Sequence, residues 1–322
     1  MRMLRLIILL AIVVAAPGIS SDLAHAQVVN STKNPSQIAI LHWYSANLAA
    51  QFRVGLGPYG VAFDGANVWI ANNTSNTVTK IRASDGTVLG AFPVGTFPFG
   101  VAFDGAHIWV TSQDSGNVTK LRASDGKVLG TFTVGTGSTG IVFDGSNIWV
   151  ASQVLNNVTK LRASDGATLG TFAVGTSPQF LAFDGTNIWS ANFNSNNVTK
   201  LRASDGKVLG NYAVGTNPIG VTFDGANIWV ANVTSNNVTK LRASDGSVLG
   251  TFTVPGVSPW GITFDGANIW VANHSSNNVT KLRASDGIVL GTFPVGSTPF
   301  GVAFDGTNVW VANYTSNTVS KL

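Results

Sequence analysis

The 322-residue chain contains no cysteine and no glutamate. Without cysteine it has no thiol nucleophile, no thiolate metal ligand and no disulfide, so a core and its own topology must hold it together. Without glutamate every acidic side chain is an aspartate, and 13 of the 15 stand in repeated turns. Charge is scarce: charged residues make up 11% of the chain, against ~25% in a typical soluble protein. Long apolar runs are scarce too. The run from Leu6 to Ala16 spans 11 residues, short of the ~20 that a membrane-crossing helix needs.

That run has the form of a leader. Arg2 and Arg5 precede it, Pro17 and Gly18 break it, and Ala24-His25-Ala26 supplies a small-x-small cleavage pattern. Cleavage after Ala26 is expected, giving a signal peptide over 1–26, a linker over 27–37, and a mature chain with no membrane span. No cysteine follows the run to carry a lipid. Without Arg2, Arg5 and Asp22 there remain 17 basic and 14 acidic residues. So small an excess gives no support for a nucleic-acid partner.

What the chain has in abundance is repetition. Phe-Asp-Gly recurs at Phe63, Phe103, Phe143, Phe183, Phe223, Phe264 and Phe304, at steps of 40 residues with one of 41. A fixed period of this size marks a repeat architecture. Each unit reads as four short strands: a, as Gly220 to Phe223; b, as Asn227 to Asn232; c, as Val238 to Arg242; and d, as Val248 to Val254. All are rich in β-branched and aromatic residues and bounded by Gly, Asn, Asp and Pro. The fold class is therefore all-β, a seven-bladed β-propeller of four-stranded antiparallel blades over 38–322.

The last unit stops in strand c, at Val319 to Leu322, while Leu48 to Val54 aligns with the d strands. The N-terminal segment is thus expected to supply the outer strand of the last blade, closing the ring without an open edge. Ile38 to Tyr44 also aligns with strand c, making eight such segments for seven places; the C-terminal copy is expected in the sheet.

Blades reading GVAFDG…NIWVAN…NNVTKLRASDGKVLGTFTVG resemble bacterial YVTN-type propellers, and the related NHL and streptogramin (virginiamycin B) lyase-like propellers. The resemblance spans 38–322 and implies a bacterial protein, which the leader makes secreted or periplasmic. It bears on fold far more than on activity. Streptogramin lyases use a histidine with glutamates and magnesium, and lactonase-like propellers place a glutamate on their metal; this chain has no glutamate to carry over.

The repeated residues have structural roles. The aspartates before glycine suit hairpin turns, and one carboxylate per turn does not supply a calcium site. The strand-b tryptophans, Trp69 to Trp310, suit the wedges between sheets. Lys240 and Arg242 stand two apart and are expected on one solvated or salt-bridged side of strand c. No convergent catalytic set, metal site or cofactor is predicted.

The a–b and c–d turns are nearly constant, whereas the d–a and b–c connections, which antiparallel connectivity places on one face, vary from blade to blade. The ligand-binding candidates on that face are Tyr59, Phe99, Gln113, Gln153, Gln179, Phe193, Trp260, His274, Phe300 and Tyr314. Their aromatics look exposed, and aromatics beside amides suit planar or sugar-like ligands and protein contacts. The favoured reading is a monomeric, non-enzymatic binding or scaffold module for a small molecule, glycan or envelope protein. Two others stand beside it: a lyase- or lactonase-like enzyme using His274, Gln113 and Asp114, and a purely structural envelope protein.

Overall fold

The computed structural model describes residues 50–322. The expected signal peptide, the linker, the segment Ile38 to Tyr44 and the first residues of the closing strand lie outside them. Every regular element among the described residues is a β-strand, and the strands form seven sheets of four. Blade 1 is typical: strand a is Pro58–Phe63, b is Asn67–Asn72, c is Thr77–Arg82 and d is Val88–Pro93. The a strands neighbour one another from blade to blade and close a ring.

Blade 7 takes strands a to c from Pro299–Phe304, Val309–Asn313 and Thr318–Lys321, and its outer strand from Ala50–Arg53. The closing pair is antiparallel, with Phe52 opposite Val319 and Arg53 opposite Thr318. The C-terminal copy of strand c therefore occupies the sheet. Phe52 then lies 5.6 Å from the ring of Trp310, as Phe92 does from Trp69 in blade 1. The N-terminal strand thus reproduces the blade pattern in packing as well as register.

The core lies in the seven seams between blades. Trp229, Ala231 and Val238 of blade 5 pack against Ile262, Ile269, Val271 and Leu282 of blade 6, and the other seams repeat this. Each strand-b tryptophan sits in a wedge that widens outward, where a large side chain leaves no void. Its indole Nε1 donates to the aspartate of the preceding turn: Trp229 to Asp224 Oδ2 at 2.7 Å, with the same bond in all seven blades. That aspartate also accepts from two backbone amides, those of Ala226 and Asn227. Burial raises the carboxyl's proton affinity more than any other single effect. The indole, the amides and the Asn227 side chain together outweigh it and hold Asp224 below the ordinary carboxylate range. His107 replaces the asparagine in blade 2 and turns its Nδ1 to Asp104, 3.1 Å away.

One expectation needs correction. Arg242 is exposed and paired with Asp245 at 3.0 Å, but Lys240 is buried. Its Nζ lies 4.9 Å from the Trp229 ring centroid and donates to the carbonyls of Ala284 and, at 3.3 Å, Ser285 in the next blade. Lys80, Lys120, Lys160 and Lys200 do the same, and Lys321 reaches Ala83 across the closing seam. The reason is register: Lys240 is the direct cross-strand partner of Trp229, so it shares the tryptophan's wedge, whereas Arg242 lies two residues on, at the rim. The carbonyls it meets belong to the c–d turn, whose glycine has positive φ and packs against the previous blade's outer aromatic. A Cβ at Gly126 would fall on the Phe92 ring.

Candidate functional site

The two variable connections of each blade meet on one face and are held rigidly. An asparagine in the b–c connection takes positive φ and accepts, through its side chain, the N–H of a residue in the following d–a connection. Asn76 receives Phe97 at 3.0 Å, Asn156 receives Ser177 at 2.8 Å, and Asn277 receives Thr298 at 2.8 Å. Asparagine tolerates this conformation better than most residues. In blade 2 the place belongs to Gly116, and Gly137 instead bonds the carbonyl of Gln113. Blade 3 thus departs from the pattern at the edge of the channel mouth.

The residue after the proline that opens strand a stands at the channel mouth. In order round the ring these are Tyr59, Phe99, Thr139, Gln179, Ile219, Trp260 and Phe300, with Ser138 replacing proline in blade 3. Tyr59 stacks on Phe300 with centroids 4.3 Å apart and meets Phe99 at 4.2 Å. Trp260 and His274 pack edgewise or tilted on Phe300 at 4.9 and 4.8 Å, and Tyr314 does so at 5.4 Å. This cluster fills the side of the mouth formed by blades 6, 7, 1 and 2.

The other side remains open because blades 3, 4 and 5 contribute no aromatic at that ring position. A cavity of about 360 Å³ lies there, lined by Tyr59, Asn73, Phe97, Phe99, Gln113, Gln153, Ser177, Gln179, Phe193, Asn194, Ile219 and Trp260. Gln179 Nε2 donates to Gln153 Oε1 at 2.9 Å. The Gln153 amide nitrogen and the Gln179 carbonyl oxygen keep hydrogen-bonding capacity to spare, as does the whole Gln113 amide. Two buried polar atoms of the lining residues lack partners: Asn73 Oδ1 and Trp260 Nε1. The Trp260 indole leans toward the Tyr59 hydroxyl without reaching hydrogen-bond geometry. Burial pushes that hydroxyl far up, with the indole opposing, so it stays protonated.

No ionisable group with a charge at neutral pH lines the cavity. His274, behind Trp260, has its pKa lowered by desolvation and is neutral there. Its Nδ1 is within 3.2 Å of the Ser275 hydroxyl. Asp114 stands at the exposed rim of blade 2, outside the lining. Among the described residues no three histidine or aspartate side chains gather as a metal-binding group.

The ten sequence candidates therefore fall in one continuous region. Seven line the cavity, and His274, Phe300 and Tyr314 form the cluster that bounds it. Their expected exposure is corrected in part: Tyr59, Phe99 and Phe300 are only 6–8% exposed, because they pack on one another over the channel. The other five lining residues, Asn73, Phe97, Ser177, Asn194 and Ile219, are not among the ten, although Phe97 is one of the exposed-looking aromatics of the variable connections and Asn73 one of their amides. Phe97 is 41% exposed, as expected of an aromatic in a variable connection, but its φ of +61° is announced by nothing in the pattern of apolar residues. The signal was available in the alignment of blades, since its counterparts are Gly57, Gly137, Ser177, Asn217, Ser258 and Thr298.

The family model described as outer membrane protein assembly factor BamB matches residues 62–290. The chain belongs to that family. No curated protein matches it. Among solved structures, the propeller is similar to Kuenenia stuttgartiensis hydrazine synthase, with TM-score 0.76 and 20% identity over 84% of this chain and 96% of that one. It is similar to a streptogramin B lyase, with TM-score 0.74 and 20% identity over 85% and 96%. Virginiamycin B lyase from Staphylococcus aureus follows, with TM-score 0.72 and 20% identity over 85% and 99%. The resemblance to lyase-like propellers read from the repeats thus holds for the fold, and at this identity it extends no further.

Proposed function

We propose that this BamB-type propeller is an exported binding module that holds an uncharged ligand at the mouth of its channel. The observation that carries the reading is the composition of the cavity. Its walls are mostly amide and aromatic residues that differ from blade to blade, and no charged side chain lines it. A volume near 360 Å³ lies at the small end of ligand pockets, ~300–1,000 Å³. The ligand is a small molecule or a glycan. An envelope protein, the kind of partner the family description suggests, would use the same face.

Catalysis is disfavoured because general acid–base chemistry needs a titratable group within reach of the substrate. His274 packs on Trp260 and Phe300, and Asp114 stands outside the lining. A saturation-transfer NMR screen of uncharged fragments, including polyols, amides and heterocycles, tests the proposal. Binders are expected with the wild type and lost in the Gln153→Leu/Gln179→Leu variant. Binders retained equally by that variant, or no binders at all, would overturn it. Turnover of any binder abolished by His274→Ala would establish the enzymatic reading instead.

A further inference from the structure

Phe97 is the side chain on the variable face that fits its backbone least well. Its backbone lies in the left-handed region, at φ +61°, where bulky L-residues are strained. Every other blade puts a glycine, serine, threonine or asparagine there. The ring gains no aromatic partner in return and is 41% exposed at the cavity edge. A strained, exposed aromatic bounding a pocket calls for a ligand that covers it. Across the cavity Phe193 follows strand b of blade 4, where blades 1 to 3 carry amides.

Between these rings the polar groups are all neutral and of mixed sense. Gln153 offers an amide donor, Gln179 a carbonyl acceptor, and Gln113 both. They come from three consecutive blades, so they approach a ligand from different directions. Planar heterocycles concentrate their donors and acceptors in the plane of the ring. A pyranose carries hydroxyls round its whole perimeter, each both donor and acceptor, and has C–H faces that stack on aromatic rings. The lack of lining charge removes the usual anchor for a phosphate, carboxylate or ammonium group.

Resting on the reading of this cavity as a ligand site, we infer that its ligand is a neutral saccharide, stacked on Phe97 with its hydroxyls bonded to Gln113, Gln153 and Gln179. Phe97 is the platform and the amides set orientation. The exposed Val154 and Leu155 continue the rim beyond Gln153 and would flank the next residue of a longer glycan.

Isothermal titration of the mature chain with neutral gluco-, galacto- and N-acetylglucosamine oligosaccharides tests this, with adenine and nicotinamide as heterocyclic probes. At least one oligosaccharide series is expected to bind, more tightly than either heterocycle. Phe97→Asn, which installs the residue blade 5 uses, is expected to weaken that binding at least tenfold. The same variant should melt no lower than wild type, because the backbone strain is relieved. Binding of a heterocycle without any saccharide would overturn the saccharide assignment while leaving the cavity a ligand site. Failure of every probe and of the fragment screen would remove both. Undiminished saccharide binding by Phe97→Asn would overturn the role given to Phe97.

Discussion

Gln179 Nε2 donates to Gln153 Oε1 across the seam between blades 4 and 3, at 2.9 Å. With the bonds from the same nitrogen to the Ser177 carbonyl and hydroxyl, it fixes which end of the Gln179 amide faces the cavity and holds the Gln153 carbonyl oxygen against it. Replacing Gln179 with leucine should cost only about 1 kcal/mol of stability, the usual net worth of one neutral hydrogen bond. It should nonetheless abolish ligand binding at the mouth, because an acceptor is lost and the Gln153 amide is freed to rotate. Urea unfolding and ligand titration of the same variant separate the two effects.

The repeated Asp–Trp bond makes a second prediction. Trp229→Phe removes the Nε1 donor from Asp224 and should cost about 2 kcal/mol, the range of a hydrogen bond to a charged group. The Asp224 pKa should rise at the same time, since that indole is among the groups that lower it. A carboxyl titration followed by NMR, with unfolding measured alongside, checks both.

Lys240→Met keeps the apolar stem and removes the ammonium. The Ala284 and Ser285 carbonyls then lose their partner at the seam, at a cost of about 3 kcal/mol for charge-assisted bonds. Arg242→Ala, one residue pair away but exposed, should cost less than about 1 kcal/mol. Comparing the two unfolding midpoints shows whether the lysine is a staple or a surface charge.

Acid should act in two stages. His274 has its pKa lowered by desolvation in the folded state, so the unfolded chain binds more protons as the pH drops below ~6.5. Its share of stability is complete above that value and is lost as pH falls. Asp64, Asp104, Asp224, Asp265 and Asp305 are also lowered, and their stabilisation is present above the ordinary carboxylate range and lost as pH falls through their folded values. His274→Gln should flatten the upper part of the stability profile and leave the lower part intact, as measured by unfolding midpoint against pH.

The fold was legible because each blade restates its neighbours. Counting Phe-Asp-Gly gave the seven blades, and the likeness of Leu48 to Val54 to the d strands pointed to residues near Phe52. The lysine staple was not, because alternation along strand c groups Lys240 with Arg242, and only the cross-strand register puts the lysine beside Trp229. At the channel mouth, unlike residues in like positions identified the region. Whether Tyr59 or Phe97 faces solvent depends on how seven unequal side chains share one axis, which no single blade encodes. Phe97 was legible as an aromatic in a variable connection, but its left-handed backbone shows only by comparison with counterparts that are small or readily left-handed.

The indole N–H spectrum tests the central claim most directly. Seven strand-b tryptophans have their Nε1 fixed on an aspartate, whereas Trp260 has its Nε1 unpartnered beside the cavity. In the 15N-labelled protein titrated with the neutral oligosaccharides, the signal that Trp260→Phe deletes should move with saturation while the seven aspartate-bound signals stay in place. Movement of the aspartate-bound signals with a stationary Trp260 signal, or no movement at all, would contradict a saccharide site at the channel mouth.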